Sequence, residues 1–244
     1  MDERVVGVIP ARLEASRFPG KILADIAGEP LIRHVYERLA ASALVERALV
    51  ATDSPRIAEA VRSFGGDVLI VEGTFGCGSD RVAAAVAGIE APFVVNLQGD
   101  QPLIAPEDID RTIGAVMDDG GADISTLAYG SNENSSFMRP DSVKVVRGAD
   151  GRALYFSRAP IPFGSPTPGN VLYLHHVGIY CFRRETLERF VSLPRGELES
   201  RESLEQLRAL ENGMVIDVVV TDRATPSVDR PEDIPSVERL LSSP

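Results

Sequence analysis

The strongest constraint on the fold is a rhythm. Short apolar runs of strand length alternate with helix-period segments through the first hundred residues. Val5-Val6-Gly7-Val8-Ile9-Pro10, Ala48-Leu49-Val50-Ala51-Thr52, Val68 to Val71 and Phe93 to Leu97 read as buried strands. Between them, Ile32, Val35, Tyr36 and Leu39 repeat on one helix face from a start near Pro30. Asp53-Ser54-Pro55 opens a second helix that Gly65-Gly66 stops near Phe64. A third helix follows the glycine-rich loop Gly73 to Gly78 and runs to about Ile89. Such alternation predicts an α/β fold with a mixed, mainly parallel sheet flanked by helices, whose ligands sit beyond the strand carboxyl ends.

The rhythm changes near Asp123. Ile124 to Ala128, Ser142 to Arg147, Ala153 to Phe156 and Leu172 to Phe182 read as strands joined by turns, and the Pro/Gly-rich stretch from Ile161 to Asn170 as irregular. Helices are expected over Arg184 to Val191 and Ser203 to Gly213, then a strand over Val215 to Val220 and a last helix starting at Arg230-Pro231-Glu232-Asp233. No repeat and no convincing linker interrupts the chain. The expectation is one domain over residues 1–244, with a smaller β-rich subregion at 123–182 that serves the acceptor and dimerisation.

Charge and cysteine narrow the partners. The 25 Lys+Arg are outweighed by 36 Asp+Glu, for a formal net charge of −11. That balance argues against nucleic acid or an anionic membrane as partner, but leaves room for a local basic pocket. Cys77 and Cys181 make neither a disulfide framework nor a zinc pattern, which suits a reducing, cytoplasmic setting. Met1-Asp2-Glu3-Arg4 leads straight into a strand-like segment, and no apolar run is long enough for a membrane span, so neither signal peptide nor membrane is expected.

One loop in this acidic chain is crowded with cations. Arg12-Leu13-Glu14-Ala15-Ser16-Arg17-Phe18-Pro19-Gly20-Lys21 follows the first strand, and Lys21 is one of only two lysines, with Lys144. Arg12, Arg17, Lys21 and backbone amides there can cradle a polyphosphate. Ala15 and Ile22 stand where a Walker A loop needs Gly and Ser or Thr, and no GxGxxG turn is present. Asp100, at a strand end, and Asp229, before the last helix, are candidate metal carboxylates. Asp100 also reads as a turn residue and Asp229 as a helix cap. His175 and His176 are strand neighbours that must point to opposite faces.

Ile9-Pro10-Ala11-Arg12 with Ser16-Arg17-Phe18-Pro19-Gly20-Lys21 resembles the opening of the 3-deoxy-manno-octulosonate cytidylyltransferases (CMP-KDO synthetases). The resemblance continues in order through Val50-Ala51-Thr52-Asp53, Gly78-Ser79-Asp80-Arg81, Asn96-Leu97-Gln98-Gly99-Asp100 and Ala153-Leu154-Tyr155-Phe156-Ser157-Arg158. It ends with His176-Val177-Gly178-Ile179-Tyr180, Leu204-Glu205-Gln206-Leu207-Arg208 and Val228-Asp229-Arg230-Pro231-Glu232-Asp233. It implies a Rossmann-like nucleotidyltransferase that couples CMP from CTP to a sugar acid and releases pyrophosphate, with Mg2+, as a homodimer. By position, Arg12, Ser16, Arg17 and Lys21 resemble the triphosphate loop, with Lys21 and Arg12 in catalytic roles. Gly78, Ser79 and Arg81 resemble the loop that meets the cytosine and the acceptor. Gln98, Tyr180, Glu205 and Gln206, with Arg158 and His176 close by, resemble the acceptor pocket, and Asp100 and Asp229 the metal-holding pair.

Phe75, Gly76 and Cys77 stand where the family usually carries a His and a Ser, and Gln101 where it usually carries Glu. These departures cluster on the acceptor side. Two further readings stay open: CMP transfer to a small phosphonate acid such as phosphonoformate, held by Arg81, Arg158 and Lys144, and a catalytically inactive nucleotide-binding regulator.

Overall fold

The computed structural model of the protein describes residues 5–14, 18–118, 120–165 and 170–242. The chain divides into two compact units, one formed by Met1–Asp110 with Thr225–Pro244, the other by Arg111–Ala224.

The first unit opens with β1 (Val5–Ala11), a 3-10 turn at Lys21–Leu23, and a two-strand ribbon of β2 (Asp25–Ile26) and β3 (Glu29–Pro30). Then come α1 (Leu31–Ala40), β4 (Arg47–Thr52), α2 (Pro55–Ser63), β5 (Val68–Ile70), α3 (Gly78–Val86) and β6 (Phe93–Leu97). Helix α4 (Pro106–Met117) carries the chain into the second unit. β1 lies between β4 and β6, and β5 flanks β4, every pair parallel. Parallel strands put all their carboxyl ends on one side. The loops after β1, β4, β5 and β6 therefore gather at one edge of this sheet.

Local chemistry explains the helices. α1 buries Leu31, Ile32, Val35 and Leu39. Tyr36 lies on the same face and also bonds through its polar tip. Its hydroxyl donates to Ala48 O at 3.3 Å and accepts from Asp67 N at 3.0 Å. Pro30 is the extended residue before α1, not part of its first turn. Ser54 caps α2 by accepting from Ile57 N, and Gly65 adopts φ 80° just past its end.

The second unit holds β7 (Ile124–Ser131), α5 (Asn134–Met138), β8 (Lys144–Arg147), β9 (Ala153–Ser157) and β10 (Tyr173–Arg183). It continues with α6 (Arg184–Ser192), α7 (Glu197–Glu202), α8 (Gln206–Glu211) and β11 (Ile216–Thr221). β10 runs antiparallel to β7 and β8, β8 antiparallel to β9, and β11 parallel to β7. The β-rich stretch expected at 123–182 lies inside this unit. The chain then returns to the first unit, where a 3-10 turn at Pro231–Asp233 leads into α9 (Ile234–Leu241).

The sheet is thus parallel in the first unit and mixed in the second, and helices pack on it, as the rhythm predicted. One expected helix, Ser203 to Gly213, is shorter. Ser203 adopts φ 53°, a left-handed conformation outside a helix, so the expected helix begins only at Gln206 as α8, and the separate α7 ends before it at Glu202. α7, α4 and α5 were not anticipated from the pattern. Among the described residues no helix is long and apolar enough to cross a membrane.

Candidate active site

The acids and cations of the sequence meet at the gathered loops of the first unit. Gly20 adopts φ 74°, a backbone that other residues rarely take, and its N–H bonds back to Leu13 O at 2.9 Å. That bend starts the Lys21–Leu23 turn. The Cδ1 of buried Ile22 then lies in the space where a side chain on residue 99 would begin, so a larger residue at Gly99 would have to push the Ile22 tip aside. The close approach sets Lys21 beside Asp100. Lys21 Nζ donates to Asp100 Oδ2 at 2.8 Å and lies 3.7 Å from Asp229 Oδ1.

Asp229 arrives from the far end of the chain. Val228 N donates to Asp100 O at 3.0 Å, which ties the two loops together by their backbones. The N–H groups of Asp229 and Arg230 both donate to Asp233 Oδ2, at 2.9 and 2.8 Å. Capping around Pro231 is therefore done by Asp233, and the Asp229 carboxylate turns elsewhere. Ser227 Oγ donates to Asp229 Oδ2 at 2.8 Å, and Gln101 Nε2 lies 3.4 Å from Asp100 Oδ1. Each acid thus has one oxygen beside a neighbouring donor while the other faces Lys21.

Beside this cluster lies a cleft of about 120 Å3, lined by Pro10, Ala11, Arg12, Phe75, Gly76, Cys77, Gly78, Arg81 and Gln98. Arg12 is exposed on its rim. Arg81 is only 8% exposed, and its NH2 donates to Asp53 Oδ2 at 2.8 Å. Its NH1 donates to Val71 O at 3.3 Å, and its Cζ lies 4.9 Å from the Phe75 ring centroid. An arginine held on two sides and stacked on a third is a fixed donor rather than a searching one. Gln98 Nε2 donates to Asn96 Oδ1 at 3.2 Å, and Asn96 Nδ2 to Ser79 Oγ at 3.0 Å. Ser79 is buried at 1% exposure, so its hydroxyl serves the α3–β6 contact, while its place in the first turn of α3 keeps a backbone amide near Gly78. Ser16 and Arg17, also expected at the triphosphate, lie outside the described residues.

Arg158, His176, Tyr180, Glu205 and Gln206 belong to the second unit. Tyr180 OH donates to Gln206 Oε1 at 3.0 Å, and the buried Gln206 Nε2 has no partner among the described residues. An orphaned buried amide is costly and marks a position where a donor awaits an acceptor. Glu205 stands half-buried one residue earlier. Thr126 Oγ1 donates to Ile179 O at 2.6 Å, so its contact of 2.9 Å with His176 must be a bond it accepts from Nε2–H, which assigns the tautomer. Burial pushes the His176 pKa down to about 3, and burial with the nearby Lys144 charge pushes His175 down to about 4. The two rings have different company: His175 stacks on Tyr129, and His176 meets Phe156 edge-on.

Arg158 is engaged by backbone. Its guanidinium donates to Glu202 O at 2.7 Å, Pro140 O at 2.9 Å and Ser203 O at 3.2 Å. Its own N–H donates to Glu202 Oε2 at 2.9 Å, and Ser157 Oγ donates to Glu202 Oε1 at 2.6 Å. Arg158 therefore closes the α7 terminus just before Glu205 and Gln206. Lys144 is fully buried, and Nζ donates to Arg139 O, Ser142 O and Arg158 O at 2.8, 2.6 and 2.8 Å. All three ammonium protons point at carbonyls, so Lys144 has none left for an anionic acceptor. That corrects its place in a phosphonoformate pocket.

Asp53, Phe75, Ser227 and Asp233 were not assigned roles from the sequence. Asp53 closes the matched run after β4, and Phe75 stands at a departure from the family pattern. Ser227 and Asp233 gave no signal, since their bonds appear only once the loop is folded.

Magnesium is tested by the donor set. Among the described residues no group of three or more His, Cys, Asp or Glu could hold a metal alone. Two carboxylates suit magnesium, which takes one or two from protein and fills the rest with water and substrate phosphates. The Lys21 ammonium already places a positive charge between Asp100 and Asp229.

Comparison with known proteins agrees in scale. A cytidylyltransferase family model matches residues 6–216. The 3-deoxy-manno-octulosonate cytidylyltransferase of Syntrophobacter fumaroxidans is 45% identical over 98% of this chain and 97% of its own length. A solved CMP:2-keto-3-deoxy-manno-octonic acid synthetase complexed with CTP superposes with a TM-score of 0.88 at 40% identity, covering 98% of each chain. The 4-diphosphocytidyl-2C-methyl-D-erythritol synthase of Anaerococcus prevotii, at TM-score 0.64 and 12% identity over 99% of this chain and 98% of its own, shares the nucleotidyltransferase fold.

Proposed function

The chain belongs to the cytidylyltransferase family, and from that premise we propose that it transfers CMP from CTP to a 3-deoxy-manno-octulosonate-type sugar acid with release of pyrophosphate. The observation that carries this reading is the convergence of Lys21, Asp100 and Asp229 beside a cleft lined by Arg12, Arg81 and Gln98.

The chemistry needs two anions brought together. A hydroxyl oxygen of the acceptor attacks the α-phosphorus of CTP, and the bond to the β-phosphate oxygen breaks in line. Arg12 and Lys21 take the triphosphate and offset its charge. The cleft between Phe75, Gly78 and Arg81 takes the base, with Arg81 fixed by Asp53 as a donor. In the second unit, Tyr180, Glu205 and the orphaned amide of Gln206 are the groups that would take acceptor hydroxyls. His176, neutral at physiological pH, orients through Thr126 and packs on the Tyr180 ring 5.5 Å away. Arg158 positions the Glu205 and Gln206 segment through Glu202. Holding both reactants aligned is worth up to roughly 7–11 kcal/mol of barrier. Asp100 and Asp229 would hold Mg2+, which would supply neutralisation of the charge that develops in the transfer.

The resemblance to the octulosonate cytidylyltransferases favours a homodimer, and the two free thiols suit the cytoplasm. Light scattering tests the first: a mass of one chain would overturn it. The activity is tested by pyrophosphate release from CTP and Mg2+ across a panel of acids. Release with the octulosonate and not with phosphonoformate is expected. Release with phosphonoformate alone, or with no acid, contradicts the reading.

A further inference from the structure

A cation already sits between the two carboxylates proposed to hold magnesium. It is the Lys21 ammonium, 2.8 Å from Asp100 Oδ2 and 3.7 Å from Asp229 Oδ1, in side chains that are 16%, 25% and 14% exposed. Two anionic oxygens facing one point repel each other unless a positive charge lies there, and partial burial strengthens that demand. Lysine can meet it and leave again, because its charge rides on a flexible four-carbon stem with rotatable donors.

We propose that Lys21 is an internal placeholder that couples divalent-cation binding to nucleotide binding. The proposal rests on the metal reading of Asp100 and Asp229. Lys21 has two claimants, the acid pair and a triphosphate. While it bridges the acids, a divalent ion must displace an ammonium at hydrogen-bond distance to enter. A bound triphosphate offers several charged oxygens and draws the ammonium onto itself. Both carboxylates then lose the Lys21 charge, and their affinity for a divalent cation rises. Linkage makes the effect mutual: the cation raises nucleotide affinity by the same factor, typically about 5–150-fold. The acids thus load with metal more readily beside a seated nucleotide. The backbone bond from Val228 N to Asp100 O and the Ile22–Gly99 contact keep the two acids in place whichever partner Lys21 takes.

The test uses Mn2+ as the probe, with bound ion read from the loss of the free-ion electron spin resonance signal. Without nucleotide, Lys21→Met is expected to bind one Mn2+ at least about tenfold more tightly than the wild type, within the coupling range above. Lys21→Arg, which keeps the charge, should stay close to wild type. Adding Asp100→Asn to Lys21→Met should remove the gain. Equal Mn2+ affinity in Lys21→Met and wild type overturns the proposal, as does a gain shared by Lys21→Arg or one that survives Asp100→Asn. A parallel titration with CTP present, corrected for Mn2+ bound to CTP alone, separates the two readings. If the wild type gains no Asp229-dependent site with CTP, the metal assignment itself falls. If it gains one while Lys21→Met shows no nucleotide-free gain, only the placeholder falls.

Discussion

The two compact units use charged residues in opposite ways. In the first, the sheet interior is aliphatic, and the named charges sit in loops beyond the strand ends, where Lys21, Asp100 and Asp229 converge. In the second, charge is buried as framework. Lys144 is enclosed by three carbonyls, Arg208 and Glu199 form an ion pair at 5% and 3% exposure, and Arg158 closes the end of α7. In the first unit, Lys21 and the exposed Arg12 stand at the candidate site, although Arg81 there is already held by Asp53 and Val71 O. In the second, Lys144, Arg158 and Arg208 are engaged by the protein itself. An identical motif match in both carries a different chemical meaning.

Lys144→Met breaks this comparison hardest. It removes a buried ammonium together with the three hydrogen bonds it donates to Arg139 O, Ser142 O and Arg158 O, so calorimetry should show a loss of about 2–3 kcal/mol. CTP affinity, measured by titration, should move little. A variant as stable as wild type would show that the second unit's charge is not framework.

Acid should separate the units next. His176 and His175, held down at about 3 and 4, stay neutral in the fold where the unfolded chain, near 6.5, takes protons. Their contribution is complete above pH 6.5 and is lost as pH falls from there toward 4, at up to about 1.4 kcal/mol per pH unit for each. His176→Gln should flatten that fall in a series of denaturant melts. An unchanged slope would mean that other groups govern acid sensitivity.

Ser227→Ala sharpens the first unit. It removes the hydroxyl that orients Asp229 and should raise the Mg2+ needed for half-maximal pyrophosphate release by about 10–100-fold. No change would make Ser227 a bystander. Smallest in energy is a labelling contrast. Cys77 lines the cleft, while Cys181 is buried and its thiol is pushed up by burial. Iodoacetamide should modify Cys77 first, and CTP should slow it severalfold. Preferential labelling of Cys181, or indifference to CTP, would place the nucleotide elsewhere.

Much of the first unit was legible in the sequence because its signals are local. Short apolar runs, Ser54 before α2 and the cationic loop each declare themselves within a few residues. The resemblance implied Lys21 at the triphosphate and Asp100 at the metal, and folding added the ion pair between them, which no local pattern carries. The second unit was harder to read. Ser203 in a left-handed conformation ends α7 because the chain must turn there, a demand that helical periodicity does not carry. Arg158 looked like a binding cation, since its three carbonyl partners come from two separate segments. Lys144 misled for the same reason. Tertiary partners decide whether a charge is spent on the fold, and spacing along the chain does not reveal them.

The central claim is that Asp100 and Asp229 act together on a nucleotide held beside them. Its most direct test is Asp229→Asn, a change that keeps shape and removes charge, assayed for CTP binding and for pyrophosphate release with CTP, Mg2+ and the octulosonate. The expected result is CTP affinity, measured without divalent ion, within a few-fold of wild type and release lowered by about a thousandfold, the scale of several kcal/mol of lost charge stabilisation. Release near the wild-type rate at saturating CTP would contradict the account.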